Sequence, residues 1–199
     1  MKQNKFSKIK VLVTGYVKEK NKKEYASSSA VLIQYNNKNI IVDPGMDKKK
    51  LLDALKKEKL STKDINYIIL THTHIDHSLL AGIFENAKIY DNESIFSYDG
   101  KIENHHGKIE DIKIINTPGH DQFHCSVLVN TKEYKKVIIA GDVFWWEDNA
   151  IQYTDKKSLL DLKDPYVKNK KQLRESRKYI LENANWIIPG HGKMFEVKK

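Results

Sequence analysis

The chain has 199 residues, 40% of them hydrophobic and 31% charged, with a formal net charge of +9. That length and apolar content suit one substantial domain with a real core, and no apolar run comes near the ~18 residues of a membrane-spanning helix. Cys125 is the only cysteine, which excludes an intramolecular disulfide and fits a reducing compartment. Residues 1–10 are lysine-rich but lack the apolar stretch and small-residue cleavage site of a signal peptide. A cytoplasmic protein with a flexible tail over 1–8 and no membrane partner is therefore expected. The positive charge is compatible with an anionic substrate such as RNA, and equally with lysines on solvated faces.

In chain order, Ile9–Val17 reads as a first strand and Lys18–Glu24 as a charged turn. Ser28–Tyr35 and Lys38–Val42 form two apolar runs joined by Asn36-Asn37, a hairpin signal. Asp43-Pro44-Gly45 closes the second run. Asp47 is placed to cap a helix whose Leu51, Leu52 and Leu55 share one face. Ser61–Asp64 has the form of a capping box, and Asn66–Leu70 reads as a short buried strand. Ser78–Phe84 reads as a short helix and Ala87–Tyr90 as a strand, whereas 91–107 is polar and unassigned. Ile109–Asn116 alternates like a half-buried strand and ends in Thr117-Pro118-Gly119-His120. Cys125–Asn130 and Lys136–Ala140 pair as a second hairpin ending in Gly141-Asp142. Residues 143–158 read as a loop, Pro165–Asn183 as a long helix, and Trp186–Ile188 as the last strand, before Pro189-Gly190-His191-Gly192. No repeat or low-complexity linker divides the chain, so one domain is expected: two stacked mixed sheets with helices outside.

Potential metal ligands concentrate in Thr71–His77, where His72, His74, Asp76 and His77 follow an apolar strand directly. Alternation along an extended segment sends His72 and His74 the same way, while Asp76 and His77 come after the chain has turned. Imidazole and carboxylate are the donors of a hydrolytic metal site. Four further strands deliver Asp43, His120, Asp142 and His191 into turns that contain Gly or Pro. Turn chemistry favours Gly, Pro, Asn, Asp and Ser but does not call for His, so strand ends converging on one rim explain the pattern better.

These motifs resemble those of the metallo-β-lactamase superfamily of metallo-hydrolases. T-H-T-H-I-D-H corresponds to its H-x-H-x-D-H signature, and V-D-P-G, T-P-G-H, G-D and P-G-H-G follow the family's other elements in order. The resemblance spans about Ile9 to Phe195. It implies an α+β fold, the four-layer αβ/βα sandwich, and two divalent metal ions: Zn2+ first, with Mn2+ or Fe2+ as alternatives. It also implies a ligand set: His72, His74 and His120 on one ion, Asp76, His77 and His191 on the other, Asp142 bridging, and Asp43 orienting a ligand histidine. Asp76 and Asp142 are the implied catalytic carboxylates, acting with a hydroxide shared between the ions. G-D-V-F, the Arg174–Arg177 helix and P-G-H-G-K-M-F resemble a small subgroup, the metallo-β-lactamase domain-containing protein 1 type. That likeness implies hydrolysis, with RNA or another phosphodiester first and a thioester, lactone or β-lactam as the alternative. A mononuclear iron persulfide dioxygenase is the alternative of another class and a homodimer is open, whereas a non-catalytic metal-stabilised module would be signalled by missing ligands, and none of the motif's ligands is missing.

Other residues carry two readings each. Phe144, Trp145 and Trp146 fit either a wall over the site or ordinary packing. His105 and His106 fit a solvated loop better than a ligand role. His124 fits a place beside the metals or a buried hydrogen-bonded ring.

Overall fold

The computed structural model describes residues 6–198. Its chain order begins β1 (Lys8–Val13), β2 (Tyr16–Lys20), β3 (Lys23–Ser27), β4 (Ala30–Tyr35), β5 (Lys38–Val42), α1 (Lys48–Lys57), β6 (Tyr67–Ile69) and α2 (Ile75–Ser78). It continues β7 (Lys88–Tyr90), β8 (Ser94–Phe96), β9 (Ile102–Asn104), β10 (Lys108–Ile109), β11 (Ile112–Asn116), β12 (Cys125–Thr131) and β13 (Lys135–Trp145). It closes with α3 (Lys156–Leu160), α4 (Lys170–Asn183), β14 (Trp186–His191) and β15 (Phe195–Glu196). One sheet runs β1-β4-β5-β6-β7-β8-β9 and the other β10-β11-β12-β13-β14-β15.

Side-chain alternation along the central strands builds four layers. Val31, Ile33, Ile40, Val42 and Ile69 pack against Ile112, Ile114, Val127, Val129, Val137, Ile139 and Ile188 between the sheets. The intervening residues Leu32, Ile41 and Ile68 face outward onto Leu51 and Leu55 of α1 and onto Phe84. On the other sheet, Leu128, Ile138, Ala140 and Ile187 face Leu173, Ile180 and Leu181 of α4. This is the expected αβ/βα sandwich. Central strands covered on both faces read as unbroken apolar runs, which is why β4, β5 and β13 were conspicuous in the sequence.

Local signals place several elements as expected. Asn36 and Asn37 turn the β4–β5 hairpin at φ 46° and 61°, the left-handed region that asparagine tolerates. The Asp47 carboxylate accepts the Lys50 N–H at 3.1 Å and caps α1. The Ser61–Asp64 capping box is present on a short 3-10 turn.

Other expectations are corrected. The strand read over Ile9–Val17 breaks after Val13, because Gly15 lies so close to Gly190 that a Cβ would overlap its carbonyl. The charged turn over Lys18–Glu24 is part of a paired hairpin, β2–β3, turned by Asn21 and Lys22. Its strands are mostly exposed, so no apolar alternation announced them. The unassigned stretch 91–107 holds β8 and β9. The 143–158 loop contains the end of β13 and all of α3, and α4 starts at Lys170 behind an Asn169 cap rather than at Pro165. Of the expected 1–8 tail, residues 1–5 lie outside the described residues. Ser7 is buried, with its N–H on the Asn130 carbonyl at 2.9 Å, and Lys8 opens β1.

Candidate metal centre

The sequence-predicted site residues meet at one rim of the sandwich. Asp43 follows β5, the 72–77 segment follows β6, and His120 follows β11. His191 ends β14. Asp142 differs from expectation: it sits inside β13 rather than at a strand end. The β13–β14 register shifts around Gly141, which has φ +51°, so a bulge re-aims the carboxylate while the strand continues. His72, His74, His120 and Asp142 form one group whose ligand atoms lie within 4.8 Å of one another, and Asp76, His77 and His191 form a second.

Asp142 stands between the two groups. Its Oδ2 is 3.4 Å from His120 Nε2 and 3.9 Å from His72 Nε2. Its Oδ1 is 3.2 Å from His77 Nε2 and 3.6 Å from His191 Nε2. Each carboxylate oxygen thus faces a different set of imidazoles. Asp76 Oδ2 lies 3.1 Å from His191 Nε2.

The partners behind the histidines set their tautomers. His77 Nδ1–H donates to Asp43 Oδ2 at 2.8 Å, which also accepts the Thr71 hydroxyl at 2.7 Å; Asp43 Oδ1 accepts the Thr71 N–H at 2.8 Å. With its proton on Asp43, the Thr71 hydroxyl accepts from His72 Nδ1–H at 3.1 Å. His191 Nδ1–H donates to the Tyr16 carbonyl at 3.2 Å. His120 Nδ1–H donates to Asp164 Oδ2 at 2.8 Å, and that carboxylate is 1% exposed. Every one of these rings keeps its Nε2 lone pair for the centre. His74 turns Nδ1 toward His120 instead, at 3.2 Å.

The donor set fits a divalent cation. His72 Nε2, His77 Nε2 and Asp142 Oδ1 are buried without a hydrogen-bond partner, and each such atom costs about 1–3 kcal/mol unless something else satisfies it. The electrostatics agree. Burial would lower the His77 pKa, but the Asp142 and Asp43 carboxylates outweigh it and hold it well above the usual imidazole value. Burial would raise Asp142, yet the charges of His77 and His191 hold it well below the usual carboxylate range. The field at His77 Nε2 therefore favours positive charge, which a proton or a metal ion supplies. Burial keeps His72 neutral, well below its ordinary pKa. Burial would raise Asp76, but the neighbouring His191 and His77 imidazoles lower it.

His124 lies against this cluster without joining either ligand group. Its Nε2 accepts the Asp142 N–H at 3.2 Å, and Nδ1–H donates to the Thr117 hydroxyl at 3.1 Å. Burial, with His120 nearby, pushes its pKa down to about 3, so it stays neutral and anchors the bulge that carries Asp142. His105 bonds the Asp91 carbonyl through Nε2 at 2.8 Å, and His106 is exposed; neither joins the cluster. The aromatic run divides by alternation. Phe144 and Trp146 enter the core around Phe195, while Trp145 borders the site, 6.2 Å from the His191 ring.

Sequence reasoning missed Thr71, Asp164 and the Tyr16 carbonyl. Thr71 adjoins the motif and could have been weighed. Asp164 is 44 residues from His120, in a Lys-Asp-Pro segment that reads locally as a turn, so only tertiary structure connects them.

A cavity of about 440 Å³ opens over the centre. His74, Asp76, Asp142 and His191 form its floor, and Val17, Ala26, Met46, Ile75, Trp145 and Tyr166 its apolar walls, with Glu24 as a further carboxylate.

Comparison with known proteins follows the same lines. Residues 26–94, which carry Asp43 and the 72–77 cluster, match the family model of the metallo-beta-lactamase superfamily. Metallo-beta-lactamase domain-containing protein 1 of Xenopus laevis is 27% identical over 206 residues, 96% of this chain and 82% of the frog protein. A probable metallo-hydrolase of Methanocaldococcus jannaschii is 32% identical over 139 residues, 69% of this chain and 66% of its own length. The crystal structure of a probable metal-dependent hydrolase from Staphylococcus aureus superposes with a TM-score of 0.68 at 18% identity, covering 96% of this chain and 91% of the other. With two candidate ligand groups gathered on the expected sandwich, and relatives up to 32% identical matched over most of the chain, the protein belongs to the metallo-β-lactamase superfamily of metal-dependent hydrolases.

Proposed function

We propose that the protein is a two-metal hydrolase acting on an acyl compound, a thioester or lactone, with an apolar group beside the scissile bond. The observation that supports two ions is the placement of Asp142, with Oδ2 toward His72 and His120 and Oδ1 toward His77 and His191. His72, His74, His120 and Asp142 would hold one ion, and Asp76, His77, His191 and Asp142 the other. Zn2+ suits this nitrogen and carboxylate set. Bound divalent ions supply an activated water near neutral pH and polarisation of the substrate oxygen.

The chain's own groups do the rest. Asp43 and Asp164 hold His77 and His120 in one tautomer and one ring orientation. Asp76 has the most open carboxylate of the centre, 22% exposed against 7% for Asp142. It reaches the cavity and takes up or returns the proton that hydrolysis moves. Trp145, Tyr166, Ile75 and Met46 bind the apolar portion of the substrate and exclude bulk water.

Phosphodiester or RNA hydrolysis, which the +9 balance, the Trp145–Trp146 pair and the subgroup likeness favour in the sequence, is the second reading. The cavity wall contains one tryptophan and one tyrosine ring suited to stacking, Trp145 and Tyr166, but no lysine or arginine among the described residues, and phosphate recognition draws on such cations. The acyl reading therefore ranks first. Turnover measured in parallel on an acyl-glutathione, a lactone, a cephalosporin and RNA separates them: activity on RNA alone overturns the acyl assignment. Metal analysis of protein purified without added metal completes the test. Two zinc ions per chain is the expected result, and a single iron would point instead to persulfide oxygenation.

A further inference from the structure

A second cavity, of about 740 Å³, lies away from the metal rim, between α3, the 161–165 segment and α4. Its charged lining is Asp161, Lys163, Asp164, Lys170, Arg174 and Arg177. Both carboxylates are already engaged. Asp161 accepts from Arg174 at 2.6 Å, and Asp164 accepts from His120 at 2.8 Å. Lys163 and Lys170 make no ion pair among the described residues. Lys170 also opens the 14-residue α4, whose N-terminal turn favours negative charge.

Arg177 supplies the independent observation. It is 3% exposed. Its Nε donates to the Val143 carbonyl at 3.0 Å and its Nη1 to the Leu162 carbonyl at 2.6 Å. Its Nη2 is buried with no acceptor. A buried guanidinium stripped of one acceptor is costly unless a ligand supplies it. Burial lowers its pKa to about 10, with Asp164 opposing the shift, so it remains a cation at neutral pH. A buried cation with an unpartnered donor and two lysines that make no ion pair among the described residues line the same cavity, a combination suited to an anion.

We propose that this cavity binds a small tetrahedral oxyanion, either free phosphate or the phosphate of a monoester, through Arg177, Lys163 and Lys170. The site is distinct from the catalytic cavity and adjoins the reaction centre through Asp164, which orients His120. Guanidinium and ammonium donors are the usual partners of such an anion.

The test uses the full chain stripped of metal, so its outcome does not depend on what the enzyme hydrolyses. Inorganic phosphate and glycerol 3-phosphate are titrated separately by calorimetry. Saturable binding of one equivalent is expected, and the tighter of the two probes identifies the natural source. Lys163→Glu/Lys170→Glu changes only exposed side chains and is expected to weaken binding by at least about tenfold, the loss of ~1.4 kcal/mol. Arg177→Met is expected to abolish it; if that variant does not fold, the lysine variant decides. Absence of saturable binding to the wild type, or an unchanged affinity in the lysine variant, overturns the proposal.

Discussion

Asp142 meets the hardest demand of any side chain in the protein. It is a buried carboxylate held ionised by the imidazoles around it, and its backbone is fixed by His124. Even the neighbouring backbone is shaped to admit it, since a Cβ at Gly190 would overlap Asp142 Oδ1. Because its two oxygens face both ligand groups, Asp142→Ala is expected to weaken both ions and remove most turnover while the sandwich persists. Stepwise metal titration with circular dichroism checks this, and wild-type turnover in the variant would refute the bridging role. Of the histidines that face the centre, Asp164 bonds only His120. Asp164→Ala is therefore expected to weaken one of two metal-binding steps by about 10–100-fold, the usual cost of losing a carboxylate behind a ligand histidine, and to leave the other step unchanged.

At the scale of elements, the site depends on strands whose ends are pinned from outside. The segment that carries His72 to His77 is tied to the chain after β5 by Gly45 N–H to the His77 carbonyl at 3.0 Å, and to Ser28 through its N–H on the Asp76 carbonyl at 2.9 Å. The same post-β5 segment leads into α1 through Asp47. That residue accepts from both Lys50 N–H and the Tyr16 hydroxyl, whose bond is 2.8 Å long. Asp47→Ala removes the cap and is expected to cost about 1 kcal/mol in chemical unfolding. The effect depends on pH with a definite sign. Burial would raise the Asp47 pKa, but the bonds from Lys50 and Tyr16 lower it. The stabilisation is therefore complete above the unfolded carboxylate value of about 4 and is lost as pH falls through the lower folded value. The wild-type and variant stabilities should converge in strong acid; a constant difference across that range would show that the carboxylate charge is not involved.

At the scale of the molecule, the centre joins the two sheets. His72, His74, Asp76 and His77 follow a strand of the seven-stranded sheet, whereas His120, Asp142 and His191 belong to the six-stranded one. A ligand that binds only this folded arrangement stabilises it by mass action, about 4 kcal/mol at a thousandfold excess over its Kd. Chelation is therefore expected to lower Tm substantially and to restore hydrogen exchange in the 72–77 segment before the strand cores β4, β5 and β12. Equal Tm with and without chelator would mean that no metal binds the folded state in preference to the unfolded chain. The apolar sandwich, built from three buried clusters on both faces of both sheets, should keep the metal-free protein folded.

Much of this was legible in sequence because it is written locally. Apolar runs declare doubly covered strands, Asn36-Asn37 declares a left-handed turn, and His72 to His77 declare donors crowded by covalent spacing. Those patterns pointed to the sandwich and to the side chains that the fold gathers into two candidate ligand groups. The β2–β3 hairpin escaped notice because main-chain bonding of exposed strands leaves no hydrophobic pattern. Tertiary structure alone decided three further matters. It brought Asp164 behind His120 across 44 residues, set Asp142 on a bulge inside β13 rather than at its end, and turned Trp145 to the site while Trp146 went to the core. Each depends on which surfaces pack against one another, and no spacing along the chain encodes a contact between residues that only the packed sheets bring together.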